Sequence, residues 1–361
     1  MPSTESVSHD DLIVCSCGDR EFKGRDAIHA ALWRGELDAI WANFVKCLGA
    51  EKRADELDLD YDEGELDSAA EAFRYEHDLI TAEETEQWLA ARGLSLDDFG
   101  DYFARQSCGK KLGDEVAFSK MDYVSAPGEL RQLFAADSIL SGDLDRMTSQ
   151  LVWRLAARAA QEAEPEALST EEARFFDRHS LKPAELPTWL SSLGRDATWF
   201  GEMSAMEAAY RDRCETLLVP QARQHELSTM RLPLTRFVTE VLEVESRDAA
   251  QEALFCVRED GMSMEEVAAE GRYPHRRIEF LLEDLPTDLQ QKFLSVSPGD
   301  VLEPMPRGDG FELCRITQKL EPKADDPAVR SRIEQRLLDR HFSDLSSKHV
   351  ERRLGAATLT E

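Results

Sequence analysis

The sequence predicts an α+β fold that is mainly α: two related helical modules, then a small antiparallel sheet domain, then a C-terminal helix. Amphipathic helical patterns with capping residues fill the chain up to about Leu232. Period-two alternation is confined to the chain after that residue, apart from one short N-terminal strand pair. A tryptophan-containing segment also occurs twice in the helical part. These observations place the domains at residues 1–122, 123–232, 233–322 and 323–361.

The first module begins with a strand and continues as short helices. Asp11–Val14 reads as an apolar strand, and Gly18-Asp19 offers a turn that closes a hairpin. Thr81 and Glu84 have the spacing of a capping box, which marks the start of a helix. Helices this short are stable only when they pack on one another. The expected helices are 26–34, 36–50, 65–77, 83–92 and one more that begins after Ser95.

An internal repeat joins the two helical modules. Residues 88–100 align without a gap to residues 189–201 and share a Trp, two Gly and a Phe at fixed spacing. Upstream, the pattern Phe-x3-His-x-Leu at 73–79 recurs at 175–181. Duplication explains this better than chance similarity between two helical hairpins. We therefore expect Trp88 and Trp189 at equivalent buried sites, and His77 and His179 as helix C-terminal caps.

The period-two patterns predict one small sheet with strands near 236–245, 276–282, 300–305 and 311–320. Helical patterns separate these strands at 248–258, at 264–270 and after Pro286, which gives an α+β domain. A last helix is expected from Pro327 to about Arg353. Its few apolar positions predict that one leucine-bearing face packs on another module.

The charge balance narrows the choice of partners. The 361 residues include 43 Lys and Arg against 72 Asp and Glu, which leaves a formal net charge of −29. This excludes a general binder of nucleic acid or anionic membranes, because such binders need clustered cations. A basic partner suits the surface better. No apolar run approaches the roughly 18 residues of a membrane span, and the N-terminus has no secretory signal pattern, so we expect a cytoplasmic protein.

Cysteines and histidines give no clear metal motif. The seven cysteines are spread along the chain without a disulfide framework, so they are expected to be reduced and mostly buried. Cys15 and Cys17 are two apart, which places both thiols on one side of an extended strand. No second pair follows at zinc-finger spacing. We expect no metal and no cofactor.

Two segments carry a resemblance to known families. Residues 285–322 resemble the C-terminal half of a parvulin-type (PpiC-like) peptidyl-prolyl isomerase domain. Residues 83–99 are similar to the helical N-domain of SurA-type chaperones. A chain of this build without a signal peptide also resembles PpiC-related peptide-maturation proteins, which are encoded beside ribosomally made, modified peptides. The positions that fit the parvulin pattern are Phe293, Pro298, Gly299, Asp300, Val301, Gly310 and Phe311.

The resemblance implies a peptide-binding pocket that has lost its catalytic groups. Where the family has a histidine in its last strand this chain has Glu312, and the first strand has Glu240 in the corresponding stretch. His275 is expected in an exposed loop. The residues implied in peptide binding are the apolar wall Leu285, Leu289, Phe293, Met305 and Phe311, with Glu240 and Glu312 holding a Lys or Arg of the substrate.

The sequence thus favours a non-catalytic peptide-binding chaperone or scaffold for maturation of a ribosomally synthesised precursor peptide. Its partner would be that precursor or another unfolded polypeptide with basic and apolar segments, together with a modifying enzyme. The resemblance also implies that the C-terminal helix packs back on the N-terminal module. The alternatives are a divergent, active prolyl isomerase and a peptide-modifying enzyme that uses His or Cys ligands.

Overall fold

The structure, a computed structural model, describes residues 9–59, 62–114 and 121–353. It divides into two compact units: Met1–Cys214 with Arg340–Glu361, and Glu215–Asp339. The first unit is mainly helical, and the second holds a four-stranded antiparallel sheet with helices. The expected fold class, α+β and mainly α, is confirmed. The finer division into four domains stays a prediction.

The first unit contains two runs of five helices. Several begin at capping boxes that the sequence shows, as at Thr81 with Glu84 and at Ser95 with Asp98. The helices are α1 (Gly24–Trp33), α2 (Asp38–Glu56), α3 (Glu63–Glu76), α4 (Ala82–Ala90) and α5 (Leu96–Leu112), followed by α6 (Gly128–Leu140), α7 (Asp143–Ala160), α8 (Pro165–His179), α9 (Leu186–Ser192) and α10 (Ala197–Leu217).

The two runs contain the same number of helices and share a feature outside the aligned residues. The turn between α1 and α2 contains Gly35, and the turn between α6 and α7 contains Gly142. Both glycines have positive φ, 72° and 76°. The likeness of the two runs therefore extends upstream of the aligned segments to this turn, and both runs contribute to one large apolar core.

A three-stranded antiparallel sheet joins the two ends of the described chain. It consists of β1 (Ile13–Cys17), β2 (Arg20–Lys23) and a strand at Val350–Arg352 in the order β2, β1, last strand. Cys15 pairs with Arg352, and the Arg353 N–H donates to Val14 O at 3.0 Å. The expectation that the last helix runs to about Arg353 is wrong, because these final residues pair with β1 instead of continuing the helix.

The second unit has α11 (Pro220–Thr229), β3 (Arg236–Val244), α12 (Arg247–Arg258), α13 (Met264–Gly271), β4 (His275–Leu281) and α14 (Thr287–Ser295), then β5 (Met305–Arg307) and β6 (Gly310–Leu320). The strand order is β4, β3, β6, β5, all antiparallel. The strand expected at 300–305 is reduced to a single bridge between Val301 and Arg315, with β5 beginning at Met305. His275 opens β4 and is not in a loop.

Each face of this sheet has its own apolar cluster. The face covered by α14 carries Phe237, Val241, Phe293, Cys314 and Ile316. The face covered by α12 and α13 carries another set: Leu242, Val244, Leu254, Val267 and Leu313. Because side chains alternate along a strand, neighbouring residues of β3 and β6 belong to opposite faces.

The helix α15 (Pro327–His349) contributes to the cores of both units, and the last strand, β7 (Val350–Arg352), follows it directly. In the second unit, Val329, Ile333 and Leu337 pack with Leu227 and other apolar residues. In the first unit, Phe342 is fully buried and its ring stacks on Trp153 at 5.2 Å. The helix packs through one apolar side, as predicted. The rings that Phe342 contacts, Trp153 and Tyr210, belong to residues 123–232 and not to the expected N-terminal module, and it is β7 that pairs with β1 of that module.

Candidate functional site

The repeat is visible as two aromatic clusters of almost the same geometry. The clusters are Phe73, His77, Trp88 and Phe99, and Phe175, His179, Trp189 and Phe200. The Phe and Trp rings lie 5.3 Å apart at 86° in the first and 5.2 Å apart at 77° in the second. The two Phe rings are 5.3 Å and 5.0 Å apart, and the Phe and His rings 4.3 Å and 4.6 Å apart. The prediction of equivalent positions is confirmed.

The burial of the two tryptophans differs from the expectation. Trp88 and Trp189 are half-buried, because each sits at the rim of its cluster while the Phe residues fill the interior. In the first cluster the guanidinium of Arg92 covers the indole of Trp88, with its carbon 3.9 Å from the ring centre. Trp189 instead lines an open groove. The two histidines lie at helix C-termini as predicted.

The second cluster holds the end of α1 in place. The Trp33 ring stacks on Phe175 at 5.5 Å, and Arg178 Nη1 donates to the Trp33 carbonyl at 2.9 Å. His179 Nε2 lies 3.1 Å from the same carbonyl and must carry the proton, since a carbonyl only accepts. Burial lowers the pKa of His179, so the imidazole is neutral near pH 7.

Beside this cluster lies a groove of about 710 Å³ within the first unit. Its floor consists of Leu32, Leu37, Trp41 and Tyr123, which are all buried. The Trp41 indole is fixed there by a hydrogen bond of 2.7 Å from Nε1 to the Met121 carbonyl. The half-buried apolar side chains around it are Val45, Met121, Val124, Leu181 and Trp189. Such a surface can receive apolar side chains of a ligand.

The polar groups at this groove are acidic or neutral. Asp38 and Asp122 are exposed at its rim, and Asp122 Oδ1 accepts hydrogen bonds from the Ser125 N–H and Oγ–H at 2.7 Å each. Within the described residues, no Lys or Arg lines the groove, although the guanidinium of Arg131 lies against two lining residues, 3.2 Å from the Ser192 carbonyl and 5.7 Å from the Tyr123 ring centre. The chain's net charge of −29 adds to the negative potential. A ligand with basic side chains beside apolar ones fits this electrostatic environment.

The site predicted from the parvulin resemblance lies in the second unit, and part of it is core. Phe293 is 3% exposed and packs edge-on against Phe237 at 5.6 Å and Phe280 at 5.4 Å. A ring so deeply covered cannot touch a peptide unless the domain opens. Leu285 and Met305 are half-buried at the border of the same cluster, and Leu289 is half-buried on α14.

Two of the other predicted residues, Phe311 and Glu240, lie on the opposite face of the sheet. Phe311 packs in the cluster on the opposite face, against α12 and α13. It precedes Glu312 in β6, and strand alternation puts these two neighbours, expected in one site, on opposite faces. Glu240 also lies on the face opposite Phe293, with Arg277 and Arg315 as its strand partners. The expected single wall with two carboxylates is therefore wrong in its geometry.

Glu312 does lie on the α14 face, but its carboxylate already pairs with two arginine side chains. Its Oε1 accepts a hydrogen bond from Arg276 Nη2 at 2.7 Å and another from Arg307. Arg276 also pairs with Glu243 at 2.8 Å. The centre of this face has Thr239 and Cys314, both buried, and burial raises the pKa of the Cys314 thiol to about 12. This face therefore presents a neutral thiol and a hydroxyl, with His275 on the opposite face.

The cysteines and possible metal ligands add no further centre. All seven cysteines are free. In β1, Cys15 is fully buried while Cys17 is half-buried, and burial raises the pKa of both thiols. In the three described ranges, no group of three or more His, Cys, Asp or Glu side chains has an arrangement that could hold a metal ion. No helix among those residues is both long and apolar enough to cross a bilayer.

Sequence reasoning missed the groove of the first unit. Two of its lining residues, Leu181 and Trp189, belong to the repeated sequence pattern. The remaining wall comes from Met121–Ser125, a segment without helical or strand periodicity that tertiary packing brings against Trp41. The different environments of Trp88 and Trp189 depend on contacts distant in sequence, so local patterns gave no signal for them.

Comparison with known proteins gives structural neighbours only. No family model and no curated protein matches the sequence. A peptidyl-prolyl isomerase, PrsA from Bacillus cereus, is 13% identical with a TM-score of 0.37, over 64% of this chain and 91% of that chain. The foldase PrsA from Streptococcus pneumoniae is 13% identical with a TM-score of 0.28, over the same shares. A SurA-like chaperone of Campylobacter jejuni is 10% identical with a TM-score of 0.21, over 59% of this chain and 87% of that chain.

Proposed function

We propose that this protein is a non-catalytic chaperone or scaffold that binds an extended polypeptide in the groove of the first unit. The observation that carries the proposal is the combination of an aromatic floor, a half-buried apolar rim and two carboxylates without a lining cation. An unfolded chain offers the matching groups, because it exposes apolar side chains that a folded protein hides. Basic residues between them would be drawn in by the negative potential.

The second unit supports binding without isomerisation. Rotation about a prolyl bond has a barrier of about 18–20 kcal/mol, so a catalyst must act on the amide with well-placed groups. The carboxylate of Glu312 is held by two arginines, and Cys314 is a buried, protonated thiol. Neither group is available to stabilise a twisted amide.

The client that we propose is a ribosomally synthesised precursor peptide, handed to a modifying enzyme in the cytoplasm. This part of the proposal rests on the sequence resemblance to peptide-maturation proteins. The acidic surface supports it to the extent that the precursor has basic segments next to apolar ones.

The repeat supplies a matched pair of variants to test the groove. Trp189→Ala removes an indole from the rim, whereas Trp88→Ala removes the equivalent indole, which Arg92 covers. Binding of a fluorescein-labelled peptide that alternates Leu with Lys would be followed by anisotropy. We expect Trp189→Ala to raise the Kd about tenfold, since loss of a partly buried indole costs roughly 1–3 kcal/mol, and Trp88→Ala to leave it nearly unchanged.

Two results would count against the proposal. Equal losses in both variants would mean that general destabilisation, not the groove, reduces binding. Undiminished binding by Trp189→Ala would show that the binding site lies elsewhere.

The two carboxylates at the groove can be tested separately. Asp38→Asn combined with Asp122→Asn should weaken peptide binding at low salt and make the Kd less salt-dependent, because both carboxylates act through long-range attraction.

A further inference from the structure

The strand β4 lies at an open edge of the four-stranded sheet. It pairs with β3 on one side, and within the described residues no strand lies on its other side. Its side chains alternate between exposed and half-buried from His275 to Phe280, and Leu281 is buried. With seven residues it is a long edge, and an edge strand offers unpaired backbone groups to any further strand.

Hydrogen bonds at the two ends of β4 show which of its backbone groups point away from β3. The Leu282 N–H donates to Thr235 O at 2.9 Å, and the Glu243 N–H donates to Pro274 O at 3.1 Å. The register between these bonds has no bulge. Bonded pairs alternate in an antiparallel ladder, so even-numbered residues of β4 face β3. The residues whose N–H and C=O point away from β3 are His275, Arg277 and Glu279.

The two edges of the sheet are protected differently. On the far side, β5 has only three residues, and Pro306 in its middle has no N–H to donate. One end of β4 is closed, since the Leu281 N–H donates to Asp284 Oδ2 at 3.0 Å. The rest of β4 has no proline, and three of its residues, His275, Arg277 and Glu279, have backbone groups that point away from β3. Among the described residues, this part of the edge carries the charged side chains of Arg277 and Glu279, and Glu279 lies 3.6 Å from Arg236 across the exposed face. A partner of matching charge would add to these interactions.

That charge pattern is complementary to itself. Arg277 and Glu279 are both exposed, both point their backbone groups outward, and flank Ile278. A two-fold axis through Ile278, with the strands antiparallel, places Arg277 of each copy opposite Glu279 of the other. These two residues then form the hydrogen-bonded pairs of the new ladder, and opposite charges directly across an antiparallel pair are stabilising.

We propose that two copies of this chain associate edge to edge through β4, which joins their sheets into one of eight strands. The interface is isologous, since the same residues lie on both sides of the axis. It uses no residue of the groove, so it is independent of the proposed function. The copies repel each other through their net charge of −29, and at about 0.15 M salt this repulsion is screened beyond roughly 8 Å.

A charge exchange tests the register. Sedimentation at about 0.15 M salt should find wild-type dimers that dissociate on dilution. Arg277→Glu alone and Glu279→Arg alone each place like charges opposite one another at both ends of the interface, and should raise the dimer Kd about tenfold. The double variant Arg277→Glu with Glu279→Arg restores both pairs and should restore the dimer. Arg277→Pro removes one outward N–H without touching the β3 ladder and should abolish it.

A cysteine pair tests the position of the axis. Residues on the axis form a pair without hydrogen bonds, with Cα atoms about 4.5 Å apart, which a disulfide can bridge. Ile278→Cys should therefore give a cross-linked dimer under mild oxidation. Phe280→Cys is the matched control, since this half-buried position on the same face of β4 lies far from its own copy. Wild type treated in parallel accounts for the native thiols.

Several outcomes would overturn the proposal. A wild-type chain that stays monomeric at every concentration would do so, even if an acidic and apolar peptide adds to β4 instead. A dimer that neither single charge reversal weakens would place the interface elsewhere. Equal cross-linking at positions 278 and 280 would contradict the two-fold register.

Discussion

Glu312 is a strand residue whose carboxylate is held by two neighbours in the sheet. It stands where the parvulin pattern has a histidine, but here its carboxylate receives hydrogen bonds from Arg276 and Arg307. Both hydrogen bonds come from charged guanidinium groups, so the carboxylate is occupied within the sheet. The side chain stabilises the end of β6 against β4 and β5, which is a structural role.

We expect no prolyl isomerase activity from the wild-type chain. In a coupled assay with a short X-Pro peptide, the cis-to-trans exchange should keep its uncatalysed time of tens to hundreds of seconds. Glu312→Gln should leave the rate unchanged but lower the stability of the second unit by about 0.5–1 kcal/mol, because the carboxylate loses its charge beside two partly exposed guanidinium groups. Acceleration by the wild type that disappears in Cys314→Ala would contradict the non-catalytic interpretation.

His29 is a residue whose burial should make folding sensitive to acid. Its Nδ1 accepts a hydrogen bond from Arg195 Nε at 2.8 Å, and its ring packs edge-on against Tyr123 and Trp199. Burial, with the nearby Arg195, lowers its pKa to about 3. Below about pH 6.5 the unfolded chain takes up a proton at this position while the native chain does not, so the free energy of unfolding falls.

We therefore expect His29→Asn to reduce the loss of stability in acid. Between pH 7 and pH 5, wild type should lose about 2 kcal/mol relative to this variant in urea unfolding. The comparison with the variant is needed because burial raises the pKa of Glu51 to about 7. That carboxyl adds stability as the pH falls from 7 towards 4.5 and offsets His29 in the wild-type profile. If the free energies of unfolding of the two proteins changed equally with pH, the native chain would protonate His29 as readily as the unfolded chain does, which would contradict this prediction.

At the scale of elements, the two copies of the helical repeat end a helix with the same backbone conformation. Gly93 and Gly194 follow α4 and α9 with φ of 71° and 66°. The next residue in each copy, Leu94 or Arg195, donates its N–H back to the preceding helix at 2.9 Å. Both helices thus end in the same left-handed turn, in which a side chain strains the backbone.

The four glycines of the aligned segments 88–100 and 189–201 should respond to substitution in two opposite ways. Gly93→Ala and Gly194→Ala should each cost about 1 kcal/mol or more, because φ is positive at both sites. Gly100 and Gly201 lie inside α5 and α10, where a Cβ would meet nothing within 4 Å. Alanine there should add about 0.5–1 kcal/mol. Thermal unfolding measures all four, and a difference in sign within a pair would show that the two copies are not equivalent.

The local elements could be predicted where the signal itself is local. Capping boxes such as Ser263 with Glu266 start helices where the sequence places them, and alternation locates β3 and β6. The strand β7 could not be predicted, since its partner β1 lies more than 300 residues away and the local pattern continues the helix. The groove and the separation of Phe311 from Phe293 likewise follow from packing and strand faces rather than from composition.

At the scale of the whole molecule, α15 serves two cores. Its first turns pack Ile333 and Leu337 in the second unit, and its last turns pack Phe342 between Trp153 and Tyr210 in the first. A single helix therefore contributes to the stability of each unit through different residues.

We expect these residues to have separable effects. Phe342→Ala should cost about 3–5 kcal/mol in the first unit, and Ile333→Ala about 2–5 kcal/mol in the second. Hydrogen exchange measured by segment should show faster exchange of α7 and α10 in the first variant. It should show faster exchange of α11 and β4 in the second. If both variants loosen the same segments, the two units unfold together.

The position of β1 between β2 and β7 has a consequence for the order of synthesis. The central strand of this small sheet is synthesised before the helices of both units, but one of its two neighbours is made only after residue 349. Until then one edge of β1 stays open, and the site of Phe342 stays empty. The second unit, which is continuous from Glu215 to Asp339, has its whole sequence available earlier. The usual vectorial order, with N-terminal units folding first, would here be reversed, and the nascent first unit would depend longest on protection from aggregation.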